Sequence, residues 1–468
     1  MRKCLFALAL CAGLDAFAGW TTEKFSGKTC LTDGNWKFVC EVVDGQDVRI
    51  SSLFAGDGGL DLSAIETDTG LRVVEVRTLW YLDDALAAAA GVSSGYARTH
   101  IRAFTGNAGL KTLYKQAFYK VTALTDARLP DGVATIGESS FQGCSGLSDL
   151  RLPNSVETIG ANAFKDCTAL ARVENFLPGS LTAMDSTAWS GVKVSELKKA
   201  VWPAGLQDVP DEMFKGWEGF EEIEFREGLV SIGREAFSLC TGLKRFTNPF
   251  PSTLEKIGSA AFGFNGSEGQ LTGCADFSRC GQLREIPDGC FWNCKHLEEV
   301  ILPPCLTNVG QRGFYNLTVC TNIGVVAVTG RGLEFMRTAD GYLAPYAFQG
   351  CKGVKRIDIP WGGKTVFQAG DTHGCFSQTP QLEEIRFFGR APDADCPDFL
   401  YNAGTAWTTR LVVSKKIDQA GWMALSDGKD YKKSGCFGAC TKPSGSGIYM
   451  YWGKSPLEVQ PGLMLIFR

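Results

Sequence analysis

A short pattern returns along this chain about every 23–25 residues, and a period of that size leaves few folds open. Each copy reads as a small residue, an aromatic, two spacers, often Cys, then apolar residues three apart. The clearest copy runs Ser140-Phe141-Gln142-Gly143-Cys144, then Leu147, Leu150, Leu152 and Pro153. The aromatic recurs at Phe118, Phe141, Phe164, Trp189, Phe214, Phe237, Phe262, Phe291, Phe314, Phe348 and Phe376. Successive differences between these positions are 23, 23, 25, 25, 23, 25, 29, 23, 34 and 28, so the longer copies carry insertions near 263–280, 325–342 and 360–374. One copy has too little apolar surface to fold alone, but stacked copies share a continuous core.

The columns agree when the aromatic is set to position zero. Position +3 holds Val121, Cys144, Cys167, Val192, Trp217, Cys240, Cys294, Leu317 and Cys351. Position +6 includes Leu124, Leu147, Leu170, Leu243 and Leu297, and position +9 includes Leu150, Val173, Ile223, Val300 and Ile357. Position −5 holds Ile or its equivalents, among them Ile136, Ile159, Ile232 and Ile257. Residues +8 to +11 alternate, as in Asp149-Leu150-Arg151-Leu152, which is the period of a strand with one face buried. The stretch from Ile159-Gly160 to Ala163-Phe164 reads as a turn or short helical piece on the other side.

These residues resemble the BspA-type leucine-rich repeat family, whose motif is close to Leu-Pro-x-x-Val-x-x-Ile-Gly-x-x-Ala-Phe-x-x-Cys-x-x-Leu-x-x-Ile. Leu152-Pro153, Val156, Ile159-Gly160, Ala163-Phe164, Cys167 and Leu170 follow it nearly position for position. The resemblance covers about residues 110–390. It implies an α/β fold leaning to β: a leucine-rich repeat solenoid of about eleven stacked rungs with parallel strands and irregular caps at both ends. It also implies a secreted or surface protein, since some members of the family are bacterial adhesins that bind host or matrix proteins.

The expected organisation is a signal peptide over 1–18, a hairpin and capping region over 19–109 and the solenoid over 110–390. Closing rungs over 391–440 and a linker with a terminal strand or sorting tail over 441–468 complete it. Arg2 and Lys3 precede the apolar run Leu5 to Leu14, and Ala16-Phe17-Ala18 is an A-x-A cleavage site that would leave Gly19 first. A lipoprotein route through Cys11 would need a small residue before it, and Leu10 stands there. In the cap, Thr29 to Val43 reads as a hairpin around Asp33-Gly34, and Asp83 to Ala90 as a helix. A formal charge of −4 and a pI near 5.7 argue against nucleic acid, and no stretch approaches the roughly 20 apolar residues of a membrane span.

Cysteine is abundant, 18 in all, of which Cys4 and Cys11 leave with the leader. The repeat absorbs eight: five in the +3 column, Cys320 at +6, and Cys290 and Cys375 at −1, all read as small buried apolar side chains. Cys144 and Cys167 share a column but should point in parallel, which disfavours a bridge. Of the rest, Cys30–Cys40, Cys274–Cys280 and Cys436–Cys440 are the candidate disulfides. With only His100, His296 and His373 and no second pair at finger spacing, no metal or other cofactor is expected.

Motifs for catalysis are nearly absent. Gly91-Val92-Ser93-Ser94-Gly95 matches a nucleophile elbow in letters, but a helix rather than a strand should precede it. Gly363-Lys364-Thr365 and Gly453-Lys454-Ser455 lack the first Gly of a phosphate loop, with Asp358 and Ile448 in its place. His373 neighbours Asp371 and Cys375 in an insertion, the one arrangement that leaves a hydrolase open. The paired Glu221/Glu222, Glu298/Glu299 and Glu383/Glu384 are repeat positions that mark a solvated strand edge. The outward strand positions give a candidate binding surface of alternating charge: Asp126/Arg128, Asp149/Arg151, Arg172/Glu174, Glu222/Glu224, Arg245, Glu299, Arg356/Asp358 and Glu384/Arg386. The blander and favoured reading of the same stripe is a ladder of cross-rung ion pairs, and the inserted segments at 263–280 and 325–342 are better candidates for binding, since insertions map to loops. Function is thus expected to be binding of a protein or surface glycan by an adhesin-like monomer, with a hydrolase or an inert surface-layer component as alternatives.

Overall fold

The computed structural model describes residues 19–264, 269–325, 340–367 and 375–390, together with the strands Arg410–Val413 and Tyr449–Trp452. The chain divides into two compact units, Met1–Leu197 and Lys198–Arg468.

The first unit opens with four antiparallel strands, Thr21–Phe25, Lys28–Thr32, Lys37–Asp44 and Asp47–Ala55. Asp33 turns the second hairpin, its carboxylate accepting the Asn35 and Trp36 N–H groups at 3.0 and 2.6 Å. The fourth strand then changes partner and pairs parallel with Arg72–Val76. From there the ladder is parallel through Thr112–Leu113, Thr135–Ile136, Thr158–Ile159 and Ala183–Met184, completing a nine-stranded sheet. A second parallel sheet runs Gly58–Asp61, Ile101–Thr105, Asp126–Arg128, Asp149–Arg151 and Arg172–Glu174. The described helices of this unit, Ile65–Thr69, Asp84–Ala90 and Ala97–His100, precede the regular repeats.

The second unit repeats the plan. Lys199–Trp202, Glu222–Phe225 and Arg245–Phe246 form one short parallel sheet, and Asp208–Val209, Ser231–Ile232 and Lys256–Ile257 another. Cys274–Asp276 begins a seven-stranded parallel sheet that runs through Glu299–Ile301, Asn322–Gly324, Arg356–Ile359, Glu384–Phe387 and Arg410–Val413 to Tyr449–Trp452.

Both units are leucine-rich repeat solenoid. The fold has about 13 turns where the aromatic column alone gave about eleven. The count fell short because rungs such as Gly58–Asp61 and Tyr449–Trp452 contribute strands without the marker aromatic. The Ile-Gly stretch is not helical either. Thr158–Ile159 is a two-residue strand, and the residues after it are consecutive turns. Those turns need left-handed backbone twice per rung, two residues before and two after the aromatic. Ser139 (φ 53°) and Gly143 (φ 73°) flank Phe141, and Asn162 (φ 54°) and Asp166 (φ 61°) flank Phe164. A helix cannot hold such residues.

The turns close the aromatics inside. Phe118, Phe141 and Phe164 are fully buried and stack with centroids 5.1 and 5.4 Å apart, tilted by 6° and 9°. In the second unit Phe237, Phe262, Phe291, Phe314, Phe348 and Phe376 continue at 5.3–5.8 Å. Each buried ring contributes about 1.5–3 kcal/mol by burial, and each aligned pair about 0.5–1.5 kcal/mol more.

Candidate functional site

The alternation of the long strands sends every second side chain outward, and parallel in-register pairing brings like positions of adjacent rungs side by side. In the first unit Asp149 stands opposite Arg172, with Arg172 Nη1 3.4 Å from its carboxylate. Arg151 reaches Glu174 and Asp131, both at 3.7 Å, and Asp126 pairs with Arg128 along its own strand at 3.1 Å. In the second unit Arg245 pairs with Glu222, directly opposite in the register. Glu224 takes Lys199 at 3.1 Å and Arg226 at 3.7 Å. Glu221 bridges Lys198 and Lys244 at 3.2 and 2.8 Å, and bonds from Lys244 and Lys198 hold its carboxyl below the usual range. Each such pair is worth well under about 1 kcal/mol at an exposed site. Glu221 and Glu222 are therefore an ion-pair rail, not a couple poised to exchange a proton.

Later in the second unit the outward positions change character. Glu299 accepts from Asn322 Nδ2 at 3.0 Å, Arg386 bonds Glu384, and Arg356 lies 3.6 Å from Asp358. Asp358, expected to face outward, is buried to 2% exposure. The chain leaving Asn322–Gly324 crosses it, and the Val325 N–H donates to its carboxylate at 3.1 Å. Gly324 makes room, since a Cβ there would stand 2.6 Å from the Asp358 oxygen. Burial pushes the Asp358 carboxyl up, against the pull of Arg356 and Arg386.

The candidate pair Cys30 and Cys40 are both free thiols. Cys30 stands opposite Val39, so Cys40, one residue on, faces the other side of the hairpin. Cys274 and Cys280 are also free. Cys274 begins a strand opposite Glu299, whereas Cys280 is buried with its thiol donating to the Pro251 carbonyl at 3.4 Å. Cys436 and Cys440 lie outside the described residues. Burial lifts Cys40, Cys167, Cys274 and Cys351 to about 12, so none of these four is a thiolate at neutral pH.

Nothing described assembles a nucleophile with a base. His100 Nδ1 lies 2.7 Å from the Tyr96 carbonyl oxygen and 3.0 Å from Thr99 Oγ1, and its ring stacks on Tyr96. His296 is exposed in a turn, and His373 lies outside the described residues. Gly91 to Gly95 joins the Asp84–Ala90 and Ala97–His100 helices, with no strand before it. Among the described residues no cluster of His, Cys, Asp and Glu could hold a metal ion. Of the insertions near 263–280, 325–342 and 360–374, residues 265–268, 326–339 and 368–374 lie outside the described residues.

Sequence reasoning missed one surface feature. Beside the turn of the first regular repeat, Arg98 lies 4.6 Å over Trp80, and Trp80 meets Tyr119 and Tyr81 at 5.3 and 5.5 Å. Arg77 lies 4.3 Å over Tyr114, and Lys120 5.2 Å from the Tyr119 ring. The available signal was Tyr119, an aromatic at a turn position where the next rungs carry Gln142, Lys165 and Ser190.

No curated protein matches the chain. Among solved structures, a leucine-rich repeat protein from Bacteroides ovatus is 17% identical, with 89% of this chain and 98% of that chain covered and a TM-score of 0.44. A leucine rich cell surface protein from Faecalibacterium prausnitzii is 18% identical, covering 64% and 95%, with a TM-score of 0.30. The pneumococcal vaccine antigen PcpA is 13% identical, covering 91% and 98%, with a TM-score of 0.28. No helix among the described residues is long and apolar enough to cross a membrane. The model of the BspA type leucine rich repeat region matches residues 93–218 and 207–330 in six copies, just over half of the chain, which hold the aromatic column from Phe118 to Phe314. The chain belongs to the BspA-type leucine-rich repeat family.

Proposed function

We propose that this protein is a secreted or cell-surface solenoid that binds proteins in the manner of an adhesin and performs no catalysis. The observation that carries this reading is the outward strand face. Asp126, Arg128, Asp149, Arg151, Arg172 and Glu174 stand in register on neighbouring parallel strands, each tied to a partner of opposite charge. Such a face is rigid before any ligand arrives, so little side-chain freedom is lost on docking. Its mixed charge offers complementarity that selects a partner rather than attracting any polyanion or polycation. The A-x-A site after the apolar leader supports export, as does membership of this family.

The test is solid-phase binding of the exported chain to a panel of purified extracellular-matrix proteins. Arg151→Glu, Arg172→Glu and Arg245→Glu serve as face variants with unchanged circular dichroism. Retention of a matrix protein that falls about tenfold in a face variant supports the reading. Absence of any retention, or equal retention by every variant, sinks it and leaves an inert surface-layer component. N-terminal sequencing of the exported chain is expected to begin at Gly19.

A further inference from the structure

We propose that the aromatic and cationic patch beside the first regular repeat is a second docking site, for an acidic segment of a partner protein that carries aromatic or other apolar side chains. It does not depend on the strand face, and all its residues lie in the first unit. The centre is Trp80, with Arg98 stacked on its face and Tyr119 and Tyr81 at its edges. The Leu79 N–H holds this segment to the turn through the Ala117 carbonyl at 3.0 Å.

Three observations point to an acidic protein segment. First, two of the three patch cations keep their charge free: Glu138 lies 2.8 Å from Lys115, and Glu75 lies 3.3 Å from Arg49 and 3.6 Å from Arg77, so only Arg77 is already paired within the patch. Among the described residues neither Arg98 nor Lys120 has a carboxylate within ion-pair distance, and Arg98 Nε is buried without an acceptor. A guanidinium stacked on a ring has its fork fixed in place and its charge unspent, which suits a carboxylate. Second, Tyr81 and Tyr114 are 47% and 37% exposed beside these cations. Trp80, Arg98 and Arg77 are half-buried beneath them, and Tyr, Trp and Arg together are the composition of protein-interface hot spots. Third, Arg98 and Arg77 already occupy faces of Trp80 and Tyr114, which removes stacking planes that a sugar ring would use. The whole chain is acidic, at −4, so attraction of an acidic ligand must be local.

The probe is a fluorescent glutamate–tyrosine copolymer titrated with the full chain, with polyglutamate and polygalacturonate as competitors. The copolymer is expected to bind about tenfold more tightly than polygalacturonate, and to weaken as salt rises from roughly 0.05 to 0.3 M. Arg98→Gln, Lys120→Gln and Tyr81→Ala should each weaken it about five- to tenfold, while Arg172→Glu on the strand face leaves it unchanged. Because Arg98 is packed, the exposed positions Lys120 and Tyr81 decide the matter. Unchanged affinity in both of those variants, or polygalacturonate binding as tight as the copolymer, overturns the proposal. Loss of matrix binding in Arg172→Glu with copolymer binding retained would separate the two surfaces.

Discussion

The Cys144 thiol donates to the carbonyl oxygen of Phe118, one rung back, at 3.0 Å. The same carbonyl already accepts the Val121 N–H of its own turn at 3.1 Å, so the sulfur takes the second lone pair. The contact recurs from Cys167 to Phe141 at 3.1 Å, Cys240 to Phe214 at 2.6 Å, Cys294 to Phe262 at 3.2 Å and Cys351 to Phe314 at 2.9 Å. The +3 column therefore favours Cys for two reasons: its size fills the gap under the next turn, and its S–H reaches a buried acceptor.

That account separates two substitutions at Cys144. Valine, which stands in the column at Val121 and Val192, adds one branch that those rungs accommodate and loses the weak donor, at about 0.5–1 kcal/mol. Alanine loses the donor and leaves a small cavity in a fully buried site, at about 1–2 kcal/mol. Urea unfolding of both variants would check the order. Alanine tolerated better than valine would mean that the gap under the next turn is too tight for a branched side chain.

Thiol chemistry gives a second expectation. Burial raises Cys144 and Cys294 as well as Cys167 and Cys351, and the thiolate is the reactive form. Iodoacetamide at pH 8 followed by peptide mapping should leave these four unlabelled in the native chain and label them in denaturant. Labelling of Cys144 or Cys167 in the native chain would show that the stack opens far more readily than its packing implies.

The regular part of the fold was legible because stacking forces like volumes into like columns: Phe141 must match Phe118 and Phe164, and Leu150 must match Val173. What was hidden depends on backbone or on neighbours outside the period. The left-handed residues at Ser139 and Asp166 leave no single residue type behind them, so the sequence left a turn and a short helical piece both open. Cys30 and Cys40 looked bridgeable because their spacing says nothing of which face each takes, and the register with Val39 decides that. Asp358 looked exposed because the residue that covers it, Val325, opens an insertion absent from most rungs. Trp80 joins Tyr119 across 39 positions, a partnership the repeat does not encode.

Leu239 sits at one of those left-handed positions, two residues past Phe237, with φ of 58°. A Cβ-branched or bulky side chain there costs about 1 kcal/mol relative to a residue that accepts this region readily. Asn293 and Asn316 hold the equivalent place two residues after Phe291 and Phe314. Leu239→Asn is expected to raise stability by about 0.5 kcal/mol, after allowing for the half-buried apolar surface it gives up. A lowered urea midpoint would show that the Leu239 side chain contributes more by packing than the backbone loses.

Asp358 yields a pH dependence with a definite sign. Its carboxyl is raised from the ordinary value of 3.8, first by burial, while Arg356, Arg386 and the Val325 N–H favour the charged form and Glu384 opposes it. The folded chain thus holds this proton more tightly than the unfolded chain does. Between 3.8 and the raised folded value, stability from this group falls as pH rises, and above the folded value the buried charge is a full penalty. Asp358→Asn keeps an oxygen for the Val325 N–H and removes the charge. The variant should be about as stable as the parent or more so at pH 7, and the difference should move toward the parent as pH falls to about 4. Urea midpoints of both chains across that range measure it. A difference that stays flat, or moves the other way, would mean that Arg356 and Arg386 outweigh burial at this site.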